Sequence, residues 1–113
     1  MPETLGQRIR RMREAKEYGL RETARKLEIS PAYLSRVETN EETIPPSEEL
    51  LRKLATLLDD NFDELMFAAK RVPTDVKEQF AKDPGLPQFL RSAREQGLTS
   101  KDLEELLHKP RKK

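Results

Sequence analysis

From Gly19 to Glu38 the chain reads GLRETARKLEISPAYLSRVE, two short amphipathic helical patterns joined by about four residues. This stretch limits the available folds more than any other part of the sequence. Leu20, Ala24 and Leu27 recur at helical spacing on one stripe, Leu34 and Val37 make the next, and Ile29 bridges the two. Two such helices bury their stripes only by crossing over a shared core. Ala24 falls where the crossing is closest, and its small side chain lets the backbones approach. Ser30 before Pro31 marks the start of the second helix. A serine N-cap is followed there by a proline whose fixed φ and missing N–H suit the first turn and no later one.

That spacing is the spacing of a helix-turn-helix whose second helix reads DNA, and further helical segments flank it. Thr4 to Gln7 fits a capping box, with Leu5, Ile9 and Met12 as the inward stripe of a first helix that ends near Lys16; Tyr18 and Gly19 form the link. Ser47, followed by Glu48 and Glu49, opens a fourth helix with Leu50, Leu51, Leu54, Leu57 and Leu58. Asn61 to Glu64 reads as another capping box, opening a fifth helix with Phe62, Leu65, Met66 and Phe67 before Val72 and Pro73 interrupt it. In this order IRRMRE, GLRETARKLEIS, PAYLSRVE and IPPSEELLRKLATLL resemble the Cro/C1 or XRE family of small bacterial and phage DNA-binding regulators, roughly over residues 5 to 67. The resemblance implies an all-α fold with a five-helix lambda-repressor-like DNA-binding domain over residues 5–69, its motif at 20–39. A helical C-terminal extension over 73–108 and a basic tail over 109–113 are expected to follow.

With Leu34 and Val37 turned inward, the second motif helix leaves Pro31, Ala32, Ser35 and Arg36 outside. The resemblance implies that these positions face the major groove, with Tyr33 at the margin between phosphate contact and core edge. Arg36 is the sharpest reader, because its planar fork can donate to guanine O6 and N7 together. Ser35 can serve either base type, while Pro31 and Ala32 offer apolar contact to a thymine methyl, beside first-turn N–H groups able to meet a phosphate. Arg21 and Asn40 are expected to contact phosphate, although a residue just past a helix is also a natural left-handed cap. Arg8, Arg10, Arg11 and Arg25 join them only where they share the groove-facing side. Arg13 and Glu38 match a pair that forms a structural ion pair in the family. Three positions depart from the family pattern. Leu20 stands where Gln often contacts phosphate, Glu28 stands in place of the turn glycine at a cost of about 1 kcal/mol if left-handed, and Glu41 and Glu42 make the following loop acidic. Glu41 and Glu42 are expected to point away from DNA.

Net charge is only +1, yet residues 1–40 hold nine Lys/Arg against six Asp/Glu, while residues 41–69 hold two against eight. A basic N-terminal part backed by acidic helices would orient the domain on a duplex. No cysteine is present, which rules out a disulfide framework and a thiolate metal site and fits a reducing, cytoplasmic setting. The stretch from Thr4 to Lys16 is amphipathic and Arg-rich, unlike a signal peptide, and no apolar run approaches the ~20 residues of a membrane span. His108 is the single histidine, so a catalytic triad or histidine metal centre has no second member. The carboxylates of Asp59, Asp60, Asp63 and Glu64 are accounted for as caps and helix-start charges. The reading is therefore a non-enzyme, with no metal and no cofactor.

Beyond Pro73, Val76 and Phe80 are at helical spacing in Thr74 to Ala81. Pro84 to Pro87 reads as a turn, and Gln88 to Gln96 as a helix with Phe89, Leu90 and Ala93 inward and Gly97 as its cap. Thr99 with Asp102 starts a last helix bearing Leu103, Leu106 and Leu107. Three short helices cannot bury a core alone, so they are expected to form a homodimer or hold a protein partner. The expected function is a dimeric repressor of a double-stranded operator. The alternative is an interaction module, such as an antitoxin or a protease-targeted regulator, whose DNA binding is autoregulatory.

Overall fold

The computed structural model describes residues 3–108 and contains eight α-helices and no strand among them. The expected basic tail, Lys109 to Lys113, and the side chain of Leu106 lie outside the described residues. The chain divides into two compact units at Pro73 and Thr74.

The first unit holds α1 (Leu5–Ala15), α2 (Leu20–Lys26), α3 (Pro31–Glu38), α4 (Glu48–Leu58) and α5 (Phe62–Ala68). Local sequence signals start four of these helices. Thr4 and Gln7 form a reciprocal capping box on α1, and the Ser30, Ser47 and Asn61 side chains accept from the third backbone N–H of α3, α4 and α5. On α5 the box is only half closed, because the Asn61 N–H donates to the Asp60 carboxylate at 2.7 Å. One core unites the five helices. Ile9, Ala24, Leu27, Leu34, Val37, Leu51, Leu54, Leu58, Leu65 and Met66 are all buried in it, with Leu5, Met12, Leu20, Ile29 and Phe62 packed at its edge. Each large side chain so buried contributes about 1.5–3 kcal/mol relative to exposure.

Every helix of this unit is followed by a left-handed residue, and none of these is glycine. Glu17, Glu28, Asn40, Asp59 and Lys70 have φ of 58, 59, 63, 55 and 57°. The turn of the motif is thus built in the usual left-handed geometry despite Glu28, and the strain of about 1–2 kcal/mol is offset by the hydrogen bonds that close each helix end. At α2 these are Glu28 N to Arg25 O at 3.1 Å and Ile29 N to Ala24 O at 3.0 Å.

The second unit holds α6 (Thr74–Lys82), α7 (Gly85–Glu95) and α8 (Ser100–Leu107). Here two expectations are corrected. The segment Pro84 to Pro87 is not a turn, because α7 already begins at Gly85. Pro87 stands in the first turn of α7, where no N–H is required. Phe89 and Leu90 are exposed, and only Ala93 of the expected inward set is buried. Gly97 (φ 76°) closes α7 through Leu98 N to Ala93 O at 2.9 Å, and Thr99 and Asp102 cap α8 reciprocally.

Candidate nucleic-acid interface

The geometry of α3 is set from its first turn. Tyr33 N donates to Ser30 Oγ at 3.0 Å and Leu34 N to Ser30 O at 3.1 Å. Pro31 has no N–H, so Ala32 N–H is the one first-turn donor without an acceptor among the described residues. Leu34 and Val37 point into the core, Pro31, Ala32 and Arg36 are exposed, and Tyr33 and Ser35 are half-buried. The Arg36 guanidinium lies 6.0 Å from the Tyr33 ring centroid.

Neighbouring elements hold this face in place. Arg13 of α1 donates from Nε and Nη2 to the two Glu38 oxygens at 2.7 and 2.9 Å, and from Nη1 to Tyr18 O at 2.8 Å. Both side chains are largely buried, so the fork ties α1 to the last turn of α3. Losing one partner of such a pair leaves an uncompensated charge, at a cost of about 3–5 kcal/mol. Arg21 sits exposed in the first turn of α2 and has no ion-pair partner among the described residues. Asn40 takes the left-handed conformation just past α3, as a helix cap does, and remains exposed.

The other arginines divide. Arg8 is committed to carboxylates at the α4–α5 corner, donating from Nε and Nη2 to Asp60 at 2.8 and 2.7 Å and reaching Glu64 at 3.3 Å. The Asp60 side chain is only 5% exposed, and the Arg8 hydrogen bond holds its carboxyl below the usual carboxylate range. Arg10 and Arg11 are paired with Glu14 and Glu3, while Arg25 stands 3.9 Å from Glu22.

The loop after α3 does not turn away from that helix. Glu41 N donates to Arg36 O at 2.8 Å, and the left-handed Asn40 swings the chain back so that Glu42 Oε1 accepts from Arg36 Nε at 2.6 Å. At its far end the same loop is pinned by Arg71, which donates to Pro46 O at 2.6 Å and Pro45 O at 2.9 Å.

Residues 4–60 match the family model described as a helix-turn-helix domain. Over 103 residues the chain is 32% identical to the HTH-type transcriptional regulator SinR of Bacillus subtilis (strain 168), an alignment spanning 91% of this chain and 88% of that one. This chain belongs to the XRE-type helix-turn-helix family of transcription regulators. It is similar in structure to SinR, the master regulator for biofilm formation, in complex with DNA (TM-score 0.51, 38% identity, covering 56% of this chain and 98% of that one). A SinR protein/SinI protein complex is similar over more of the regulator, with 31% identity, a TM-score of 0.52 and coverage of 92% of this chain and 91% of that one. The family is one of regulators, not enzymes.

Three residues of this helix-turn-helix regulator escape a reading of its sequence. A Cβ on Gly6 would collide with the Val37 and Glu38 carbonyl oxygens and come within 2.8 Å of Asn40 Oδ1, so Gly6 is what lets α1 lie against the end of α3. Its position on a polar stretch of α1 gives no hint of this. Glu42 looked repulsive because it stands in a charge run, and only the folded loop shows it on Arg36. Arg71 follows the fifth helix at a long sequence distance from the prolines it holds.

Proposed function

We propose that this regulator is a two-fold dimeric repressor that lays α3 in the major groove of a short operator and reads half-sites about one helical turn apart. The observation that carries the reading is the division of α3: Leu34 and Val37 go into the core while Pro31, Ala32, Ser35 and Arg36 stay at the surface. In this reading Arg36 donates to a guanine, Ser35 meets a neighbouring base edge, and Pro31 and Ala32 lie against a thymine methyl. Tyr33, Arg21 and Asn40 contact phosphates together with the Ala32 N–H, fixing register without reading sequence. Residues 5–69 bind the duplex and residues 73–108 join two copies. The protein acts in the cytoplasm, where operators are found. Among the described residues no helix is long and apolar enough to cross a membrane.

A second reading, that the C-terminal helices hold a different protein, draws on the similarity to the SinR/SinI complex over 92% of this chain. Selection of bound sequences from a random duplex pool tests the first. A palindrome is expected, and Arg36→Ala should relax preference at one base pair per half-site by about 5–150-fold, the equivalent of ~1–3 kcal/mol. If the variant selects the same sequences as strongly as wild type, α3 does not read bases through Arg36.

A further inference from the structure

The Arg36–Glu42 pair is more than a surface ion pair, because the backbone builds it. Asn40 in the left-handed conformation and the Glu41 N–H on Arg36 O curl the loop around the end of α3, and Glu42 arrives only a quarter exposed. The guanidinium, itself still exposed, is then held at Nε by the Glu42 carboxylate, with the Tyr33 ring alongside. Of its three nitrogens the carboxylate engages only Nε; Nη1 and Nη2 have no partner among the described residues. A guanidinium can meet guanine O6 and N7 either end-on, through Nη1 and Nη2, or side-on, through Nε and one Nη. With Nε occupied, only the end-on fork remains.

We propose that Glu42 is a positioning residue for base recognition: it holds Arg36 by Nε and presents the Nη1/Nη2 edge to guanine, so that an acidic residue beside the duplex sharpens sequence preference. This rests on the reading of Arg36 proposed above. Glu42 has two opposed effects on binding. Its charge repels phosphates and lowers affinity for every duplex alike, whereas its hold on Arg36 removes side-chain freedom before binding and acts only on the base pair that Arg36 reads.

Two substitutions separate these effects. Affinities of the full-length chain are measured for the selected operator and for the operator changed at the Arg36-dependent base pair. Glu42→Gln removes the charge but keeps an oxygen that can accept from Nε, so it should bind both duplexes more tightly and keep the wild-type ratio between them. Glu42→Ala should also bind both more tightly, yet its ratio should fall about 2–10-fold, the factor for one immobilised side chain. In an Arg36→Ala background neither substitution should alter the ratio. Circular dichroism establishes that each variant is folded. A Glu42→Ala ratio equal to wild type, or one that still falls in the Arg36→Ala background, overturns the positioning role alone. If Arg36→Ala by itself leaves the ratio unchanged, the base-reading assignment fails and the role of Glu42 goes with it.

Discussion

Gly6 and Thr23 show how much of this domain depends on single atoms. Because the two atoms nearest the space above Gly6 are backbone oxygens of α3, Gly6→Ala cannot be accommodated by moving the Asn40 side chain alone. It should destabilise the domain by about 2 kcal/mol or more, seen as a lower urea midpoint, and weaken DNA binding in proportion as α3 is displaced. Thr23 is the opposite case. It is fully buried in α2 and its Oγ1 has no hydrogen-bond partner among the described residues, a condition that costs roughly 1–3 kcal/mol. Thr23→Val keeps the shape and removes the orphaned hydroxyl, so it should raise stability by about 1 kcal/mol in thermal unfolding. Neither residue is legible in the sequence. Glycine on a polar helical face resembles any surface glycine, and threonine at a core position is disguised by its polarity. The apolar residues were readable, since Ile9, Ala24, Leu34 and Leu54 declare their burial by spacing alone.

The five helices of the first unit were legible because four of the starts carry a capping side chain and each stripe has a helical period. What pairs with what across elements was not. Asp60 reads as a helix-start charge, yet it lies 52 positions from Arg8 in sequence and within 2.8 Å of it in the fold, a relation that only the packing of α1 beside the α4–α5 corner creates. In the second unit Pro84 and Pro87 together mimic a turn, and the reading failed because a proline at the third helical position breaks no hydrogen bond. The Arg8–Asp60 pair also makes a pH prediction. The folded-state pKa of Asp60 is depressed, below an unfolded value of about 3.9. Its contribution is therefore complete above the unfolded value and disappears as pH falls through the folded one. Asp60→Asn should lower stability by about 2 kcal/mol at neutral pH, and the loss should shrink in denaturant titrations carried toward pH 3. An equal loss at both pH values would mean that packing, and not the charge, is what Asp60 supplies.

Taken by units, the first encloses a core of large apolar side chains, whereas in the second Ala93 is the one buried apolar residue among those described. Phe89 and Leu107 are 53 and 83% exposed, and Leu90 and Leu98 are exposed to a lesser degree, which is why self-association or partner binding suits the second unit. If two copies join there, Phe89→Glu with Leu90→Glu should halve the mass measured by light scattering and weaken operator binding, since each half-site contact would then bind alone. An unchanged mass together with weakened DNA binding would point away from this face. The left-handed residues that follow all five helices of the first unit bear on engineering. Glu17 and Lys70 are exposed, and glycine takes their backbone geometry without strain. Replacing both offers a sturdier regulator in which every core side chain and every proposed DNA contact is left as evolution set it.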